Sequence, residues 1–317
     1  MDIKSLYQSA IKQGITWDPR GEKAVLTELD KVKKGYEKKD EDEKEFFDTE
    51  SLYNPYSDTR ILNGSPDTQI KRILVGIDID TSEIILSYIL SSTGKKIDAI
   101  ISHHPQGCAL AGLPEVMGLQ ADLLNTFGVP LHLADFYTSQ RISEVSRKIM
   151  PVNHTKPVDA ARLLNIPFLC IHTPADNAVW NFLQKKFDTV KPDTVGDVLK
   201  TLRQIPEYKE ATKRKAGPKI ITGSPDSRCG KIMVDMTGGT EGTMELYDRL
   251  SSAGVGTLVC MHLSEEHFKK VQEQKINVII AGHIASDILG LNLLFDAILP
   301  KDIETMCCSG FKRNYEN

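Results

Sequence analysis

Three apolar runs in this chain each end in histidine. They are Ile100-Ile101-Ser102-His103-His104-Pro105, Phe168-Leu169-Cys170-Ile171-His172-Thr173-Pro174-Ala175-Asp176, and Val278-Ile279-Ile280-Ala281-Gly282-His283-Ile284-Ala285-Ser286-Asp287. Short runs of strand-forming residues bounded by Gly or Pro read as buried strands. In open α/β sheets, ligands collect at the carboxyl ends of such strands. A fold that satisfies these runs brings four imidazoles and two carboxylates to three strand ends, enough to hold two metal ions.

The remaining pattern supplies a scaffold. Strands are expected at Arg72 to Ile79, Ile97 to Ser102, Val129 to Ala134, the run ending at His172, Lys219 to Thr222, Cys229 to Met236, Thr257 to Met261 and Asn277 to Ala281. Helical patterns lie between most of them, including Ser82 to Ser92, Gln120 to Thr126, Ile142 to Ile149, Asn177 to Phe187, Thr243 to Ala253 and Ser286 to Asp296. This alternation predicts an α/β fold whose sheets are covered by helices. Each half contains an apolar strand ending in His, so a weak internal duplication is one reading of the chain. Ile3, Leu6, Tyr7, Ala10 and Ile11 recur at helical spacing and predict an amphipathic first helix. Lys31 to Asp48 is a mixed-charge run that reads as an exposed helix or a mobile segment, and Pro206 to Pro218 reads as a polar stretch. The expected division is an N-terminal helix and charged connector over 1–69, a first lobe over 70–190 and a second over 191–317.

Composition narrows the function classes. A net charge of −4 gives no electrostatic case for nucleic acid. No apolar run reaches the ~20 residues that span a bilayer, and Met1-Asp2-Ile3-Lys4 opens no leader-like apolar segment. Six cysteines without a Cys-x-x-Cys pair point to buried, reduced thiols and a cytoplasmic protein. The adjacent Cys307 and Cys308 are expected in or near the core.

Imidazole and carboxylate suit zinc, manganese, iron, cobalt or nickel. Cys170 is the only cysteine in the three runs, so a cysteine-rich zinc site is not expected. His172 with Asp176, and His283 with Asp287, share a helix face if each histidine opens a helix. Pro174 suits an early helical position, and Gly282 permits a tight approach before His283. Neighbouring strand residues face opposite ways, yet in a loop capped by Pro105 both His103 and His104 can turn inward. One strand-end histidine alone is usually a hydrogen-bonded structural residue; the joint occurrence at three strand ends carries the metal reading. His132 and His262 read as rim residues, and His267 as the further functional group. Gly238 and Gly239, between a strand and a helix, read either as an anion cradle or as a tight structural turn.

These residues also resemble a known family. Ile73-Leu74-Val75-Gly76-Ile77-Asp78 followed by Ile100 to Pro105 is similar to the N-terminal signature of the Nif-three-like family, dinuclear-metal proteins often described as GTP cyclohydrolase 1 type 2 homologues. His172-Thr173-Pro174-Ala175-Asp176 resembles its His-Thr-x-x-Asp motif, and Gly282 to Asp287 its Gly-His-x-x-x-Glu motif. Trp17-Asp18 is similar to an early Trp-Asp-Asn stretch. The resemblance runs from about Ile70 to Asp296. It implies two interlinked α/β lobes with the metals in the cleft between them, and toroidal hexamers. It also implies ligation by His103, His104, Asp176, His283 and Asp287, with His172 as a ligand or close neighbour.

The chain departs from the family in three places. Asp287 stands where Glu is usual and is one methylene shorter. The stretch from His104 to His172 is longer than usual, so Leu131 to Asn165 is expected to line or cover the cleft. Pro19-Arg20 interrupts the early motif. The expected function is a metal-dependent hydrolase with two divalent ions, acting on a nucleotide-like or phosphate-bearing small molecule, with Asp176 bridging and His267 as proton donor. A metal-handling protein without turnover and an interaction scaffold with a vestigial site are the alternatives.

Overall fold

The structure, a computed structural model, describes residues 1–314. Its apolar runs form β1 (Arg60–Asn63), β2 (Arg72–Gly76), β3 (Ala99–Ser102), β4 (Phe168–Cys170), β5 (Lys219–Thr222), β6 (Lys231–Asp235), β7 (Val255–Cys260), β8 (Asn277–Ile280) and β9 (Glu304–Cys308). These make a five-stranded sheet of order β1-β4-β3-β2-β9 and a four-stranded sheet of order β5-β8-β7-β6. In each sheet one edge strand, β1 or β5, runs antiparallel to its neighbour, and the other pairings are parallel. Strands 1-4-3-2 and 5-8-7-6 therefore share one topology, and β1 and β5 each carry a register shift, at Ile61/Asn63 and Ile220/Thr222. Internal duplication is written in the strand order.

The two sheets are joined through shared helices. Thr173–Val190 and His283–Ile298 pack on each other where Gly290 meets the Ala175 carbonyl; a Cβ at Gly290 would lie 2.5 Å from that oxygen. Ala175, Leu291 and Leu294 belong to the core under the first sheet with Val75, Ile101 and Leu169. Val179, Ala285 and Leu289, from the same two helices, join Val234, Val259 and Ile279 under the second. Each fully buried Val, Leu or Ile among them contributes roughly 1.5–3 kcal/mol. The outer face of the second sheet is covered by Ala121, Leu123, Leu124 and Phe127, which lie between β3 and β4 in the chain. The lobes are interlinked rather than sequential. The first sheet also takes β1 from within 1–69 and β9 from within 191–317, so sheet membership crosses the expected boundaries.

Several local expectations change. Val129 to Ala134 is not a strand, because Pro130 cannot donate a ladder hydrogen bond and instead caps the helix Leu131–Ile149. Ala134, Thr138 and Val145 are buried there at helical spacing, and His132 lies in the first turn. The polar stretch after Ile205 holds the helix Pro206–Lys213, anchored by buried Tyr208. Thr243 to Ala253 contains a 3-10 turn, Met244–Leu246, and a short helix, Tyr247–Ser252. The charged run forms the end of the helix Glu22–Glu37 and a short helix, Glu41–Glu45, opened by a capping box between Asp40 and Glu43. Of the six free cysteines, Cys170, Cys229 and Cys260 are buried, but Cys108 and Cys307 are exposed. Among the described residues no helix is long and apolar enough to cross a membrane.

Candidate metal centre

Three strand ends aim imidazoles at one point between the lobes. After β3 the backbone stays tied to the end of β2, with His103 N donating to Gly76 O and His104 N to Ile77 O. His103 Nδ1 lies 3.1 Å from Ile171 O, and His104 Nδ1 lies 2.6 Å from Asp78 Oδ1. A carbonyl oxygen only accepts, so His103 donates from Nδ1 and turns Nε2 inward. After β4, His172 caps the helix Thr173–Val190 and Pro174 occupies its first turn. His172 Nδ1 contacts Asp58 Oδ2 at 2.8 Å, and the same oxygen accepts from the Thr173 hydroxyl at 2.5 Å. After β8, Gly282 has φ +108°, and a Cβ there would sit 2.5 Å from Ala216 O; only glycine lets the chain swing His283 into its helix.

The inward atoms meet at distances that hydrogen bonds do not explain. His103 Nε2 is 3.4 Å from Asp176 Oδ1 and 3.5 Å from Asp287 Oδ1. His104 Nε2 is 3.4 Å from Asp287 Oδ2, while His172 Nε2–Asp176 Oδ2 and His283 Nε2–Asp287 Oδ2 are both 3.7 Å. Two ligands each ~2.1 Å from a tetrahedral ion lie ~3.4 Å apart. His103 Nε2, His104 Nε2, Asp176 Oδ1 and both Asp287 oxygens are buried without a hydrogen-bond partner. Leaving such an atom unsatisfied costs about 1–3 kcal/mol each. His103, His172 and Asp176 form one group able to hold a metal ion, and His103, His104 and Asp287 another. The residues fit such ions in donor type, spacing and unmet bonding.

With protein groups alone the cluster is strongly polarised. Burial opposes charge on His103, but Asp287 and Asp176 outweigh it and push its pKa up to about 10. Burial likewise opposes a charged His172, and Asp176 with Asp58 raises it. For Asp287, burial favours the neutral acid, yet His103 and His104 hold it well below the usual carboxylate range. His283 is lowered by burial.

A cavity of about 190 Å³ opens beside the cluster. His104, His172, Asp176, His283 and Asp287 line it, together with Asp235, Glu241, Tyr247 and His262. His103 lies fully buried beneath. Gly239 lines the cavity, whereas Gly238 turns its carbonyl to the side-chain amide of Gln120, 2.7 Å away. No long helix follows these glycines, so the expected helix-start cradle is not formed there. His267 sits behind the wall, with Nδ1 2.7 Å from the Tyr247 hydroxyl and Nε2 3.7 Å from Glu241. Burial lowers its pKa. None of the described cavity-lining residues falls in 131–165, and Arg141 reaches only the rim, donating to Glu241 O. Asp58 and Gln120 were not singled out from sequence.

No family model matches the sequence, and no curated protein does. The structure is similar to a NIF3 superfamily protein from Sphaerobacter thermophilus, with 28% identity and a TM-score of 0.70 over 82% of this chain and 94% of that one. Reduced HcgD from Methanocaldococcus jannaschii shares the fold at 13% identity and a TM-score of 0.51, over 84% of this chain and 94% of that one. Fold and site together define a two-lobed α/β protein with a His/Asp cluster able to hold metal between its lobes. This likeness supports a Nif-three-like (NIF3) family assignment.

Proposed function

We propose that this protein holds two first-row divalent ions and is a metal-dependent hydrolase of a nucleotide-like or phosphate-bearing small molecule. The observation that carries this reading is the convergence of buried, unpartnered nitrogen and carboxylate oxygen atoms on one side of a cavity. His172 and Asp176 would serve one ion, His104, His283 and Asp287 the other, with His103 between them. When bound, such ions supply Lewis acidity and a nucleophilic hydroxide near neutral pH. The chain's own part is positional. Asp58, Asp78 and the Ile171 carbonyl orient three imidazoles, an arrangement that sharpens metal affinity. Leu113, Met236, Met261 and Leu263 give the cavity apolar walls that limit water. No Lys or Arg is among its described lining residues, so a substrate phosphate has only the ions, backbone N–H groups and imidazoles to meet. His267 can pass a proton to the cavity through Tyr247, which lines it.

The test is a screen of phosphoesters, nucleotides and cyclic amides with protein loaded with manganese, cobalt or zinc. Turnover that requires metal and vanishes in His104→Ala supports the hydrolase. Tight metal with no turnover of any class favours metal handling. Ligand substitutions that leave the cellular phenotype intact favour a scaffold. The family reading also carries a homo-oligomer, a hexamer by resemblance; light scattering that returns a 35.3 kDa monomer contradicts it.

A further inference from the structure

We propose that His262 is a further donor to the ion served by His283 and Asp287, the second lobe's counterpart of His104. This rests on the metal reading above. The duplication supplies the first argument. In the first sheet Gly76 pairs with Ser102 and Ser102 with Cys170; in the second Asp235 pairs with Cys260 and Cys260 with Ile280. Ser102 and Cys260 thus hold equivalent places at the ends of β3 and β7. His104 and His262 each lie two residues further on, beyond corresponding strands of the two sheets.

Position supplies the second. His262 lines the same cavity, and its ring centroid is 5.1 Å from that of His283. The His104 ring is also 5.1 Å from His283, so His283 stands between the two equivalent imidazoles. The groups differ in how they are held. Asp78, two residues beyond Gly76, fixes His104. The corresponding residue two beyond Asp235 is Thr237, whose hydroxyl is committed to Asn177 Oδ1 at 2.6 Å. His262 makes its ring contact with His283 and has no hydrogen bond among the described residues, so its ring is free to turn toward an ion.

Coordination chemistry supplies the reason. A first-row divalent ion takes four or more ligands, and imidazole is a preferred one. On this side Asp287 must serve His103, His104 and His283 together, and its short stem places it 3.7 Å from His283 Nε2. An imidazole arriving from the β7 end completes the ligand set at the mouth.

The experiment compares wild type, His262→Ala, His262→Gln and the control His132→Ala, whose site lies on the helix Leu131–Ile149 away from the cavity. Zinc affinity is measured by competition with a chelator, and cobalt(II) absorption reports the ligands. We expect wild type to bind two ions. Both His262 variants should keep one at wild-type affinity, weaken the other tenfold or more and change the cobalt spectrum, while His132→Ala changes neither. The metal-free variants should melt as wild type does, because His262 is exposed and unbonded. If both His262 variants bind two ions with wild-type affinity and spectrum, His262 is no ligand and the dinuclear reading stands without it. If wild type itself binds no ion after reconstitution, both readings fall.

Discussion

Asp235 offers a sharp test of how the cavity wall is built. It ends β6 and faces the cavity with Glu241 as its charged neighbour. Burial, and then the Glu241 charge, push its pKa from 3.8 up to about 6. An acid whose native pKa lies above its unfolded value contributes stability that is intact below the unfolded pKa and lost as pH rises through the native one. From 3.8 to about 6, at roughly 1.4 kcal/mol per pH unit, the loss is about 3 kcal/mol. Asp235→Asn keeps the shape and removes the ionisation. Chemical denaturation of chelator-treated wild type and variant should give equal stabilities near pH ~4 and a variant more stable by about 3 kcal/mol near pH ~7.5. A difference that is flat with pH, or one that favours wild type at neutral pH, would refute the reasoning. It would mean that burial and Glu241 do not disfavour the Asp235 carboxylate.

Other consequences follow from the same geometry. Asp58→Ala removes the acceptor from His172 Nδ1 and the Thr173 hydroxyl, and should weaken one ion about 10–100-fold in a titration; an unchanged affinity would show that His172 is not positioned by Asp58. Asp287→Ala should reduce metal stoichiometry by one ion while the His172–Asp176 side keeps its own; retention of both ions would remove Asp287 from the ligand set. Gly290→Ala forces a methyl against the Ala175 carbonyl between the two ligand-bearing helices and should cost roughly 1–3 kcal/mol, lowering the melting temperature; an unchanged melt would mean that the helices part without penalty.

The sequence reveals what local chemistry encodes. The three apolar runs into histidine are β3, β4 and β8, because a buried parallel strand is a continuous run of branched apolar residues. The four-residue spacings from His172 and His283 work as read, since each histidine stands at a helix start. Long-range pairings leave no local trace. Asp58 reaches His172 across 114 positions of chain, and nothing around Tyr53 to Thr59 distinguishes it from an ordinary turn carboxylate. β9 was missed because Glu304–Cys308 is a partly exposed edge strand without an apolar run, and it returns to β2 only in three dimensions. Val129 to Ala134 misled because Val-Pro-Leu-His-Leu-Ala is as apolar as a strand; the deciding feature is Pro130, which preorganises a helix start. Leu131 to Asn165 is expected to line or cover the cleft, yet Leu133, Ala134 and Tyr137 pack on the outer face of the second sheet and Val158, Ala161 and Leu164 on the first.

The central claim is that His103, His104, His172, Asp176, His283 and Asp287 form a centre for two divalent ions. The most direct measurement is elemental analysis of protein reconstituted with zinc, manganese, iron, cobalt or nickel and then freed of unbound metal. It should be run beside a variant in which His103, common to both candidate groups, is alanine. The account predicts two ions per wild-type chain with the preferred metal and impaired binding of both in His103→Ala. Wild-type protein that retains none of these metals, or His103→Ala that retains two ions as tightly as wild type, would contradict it.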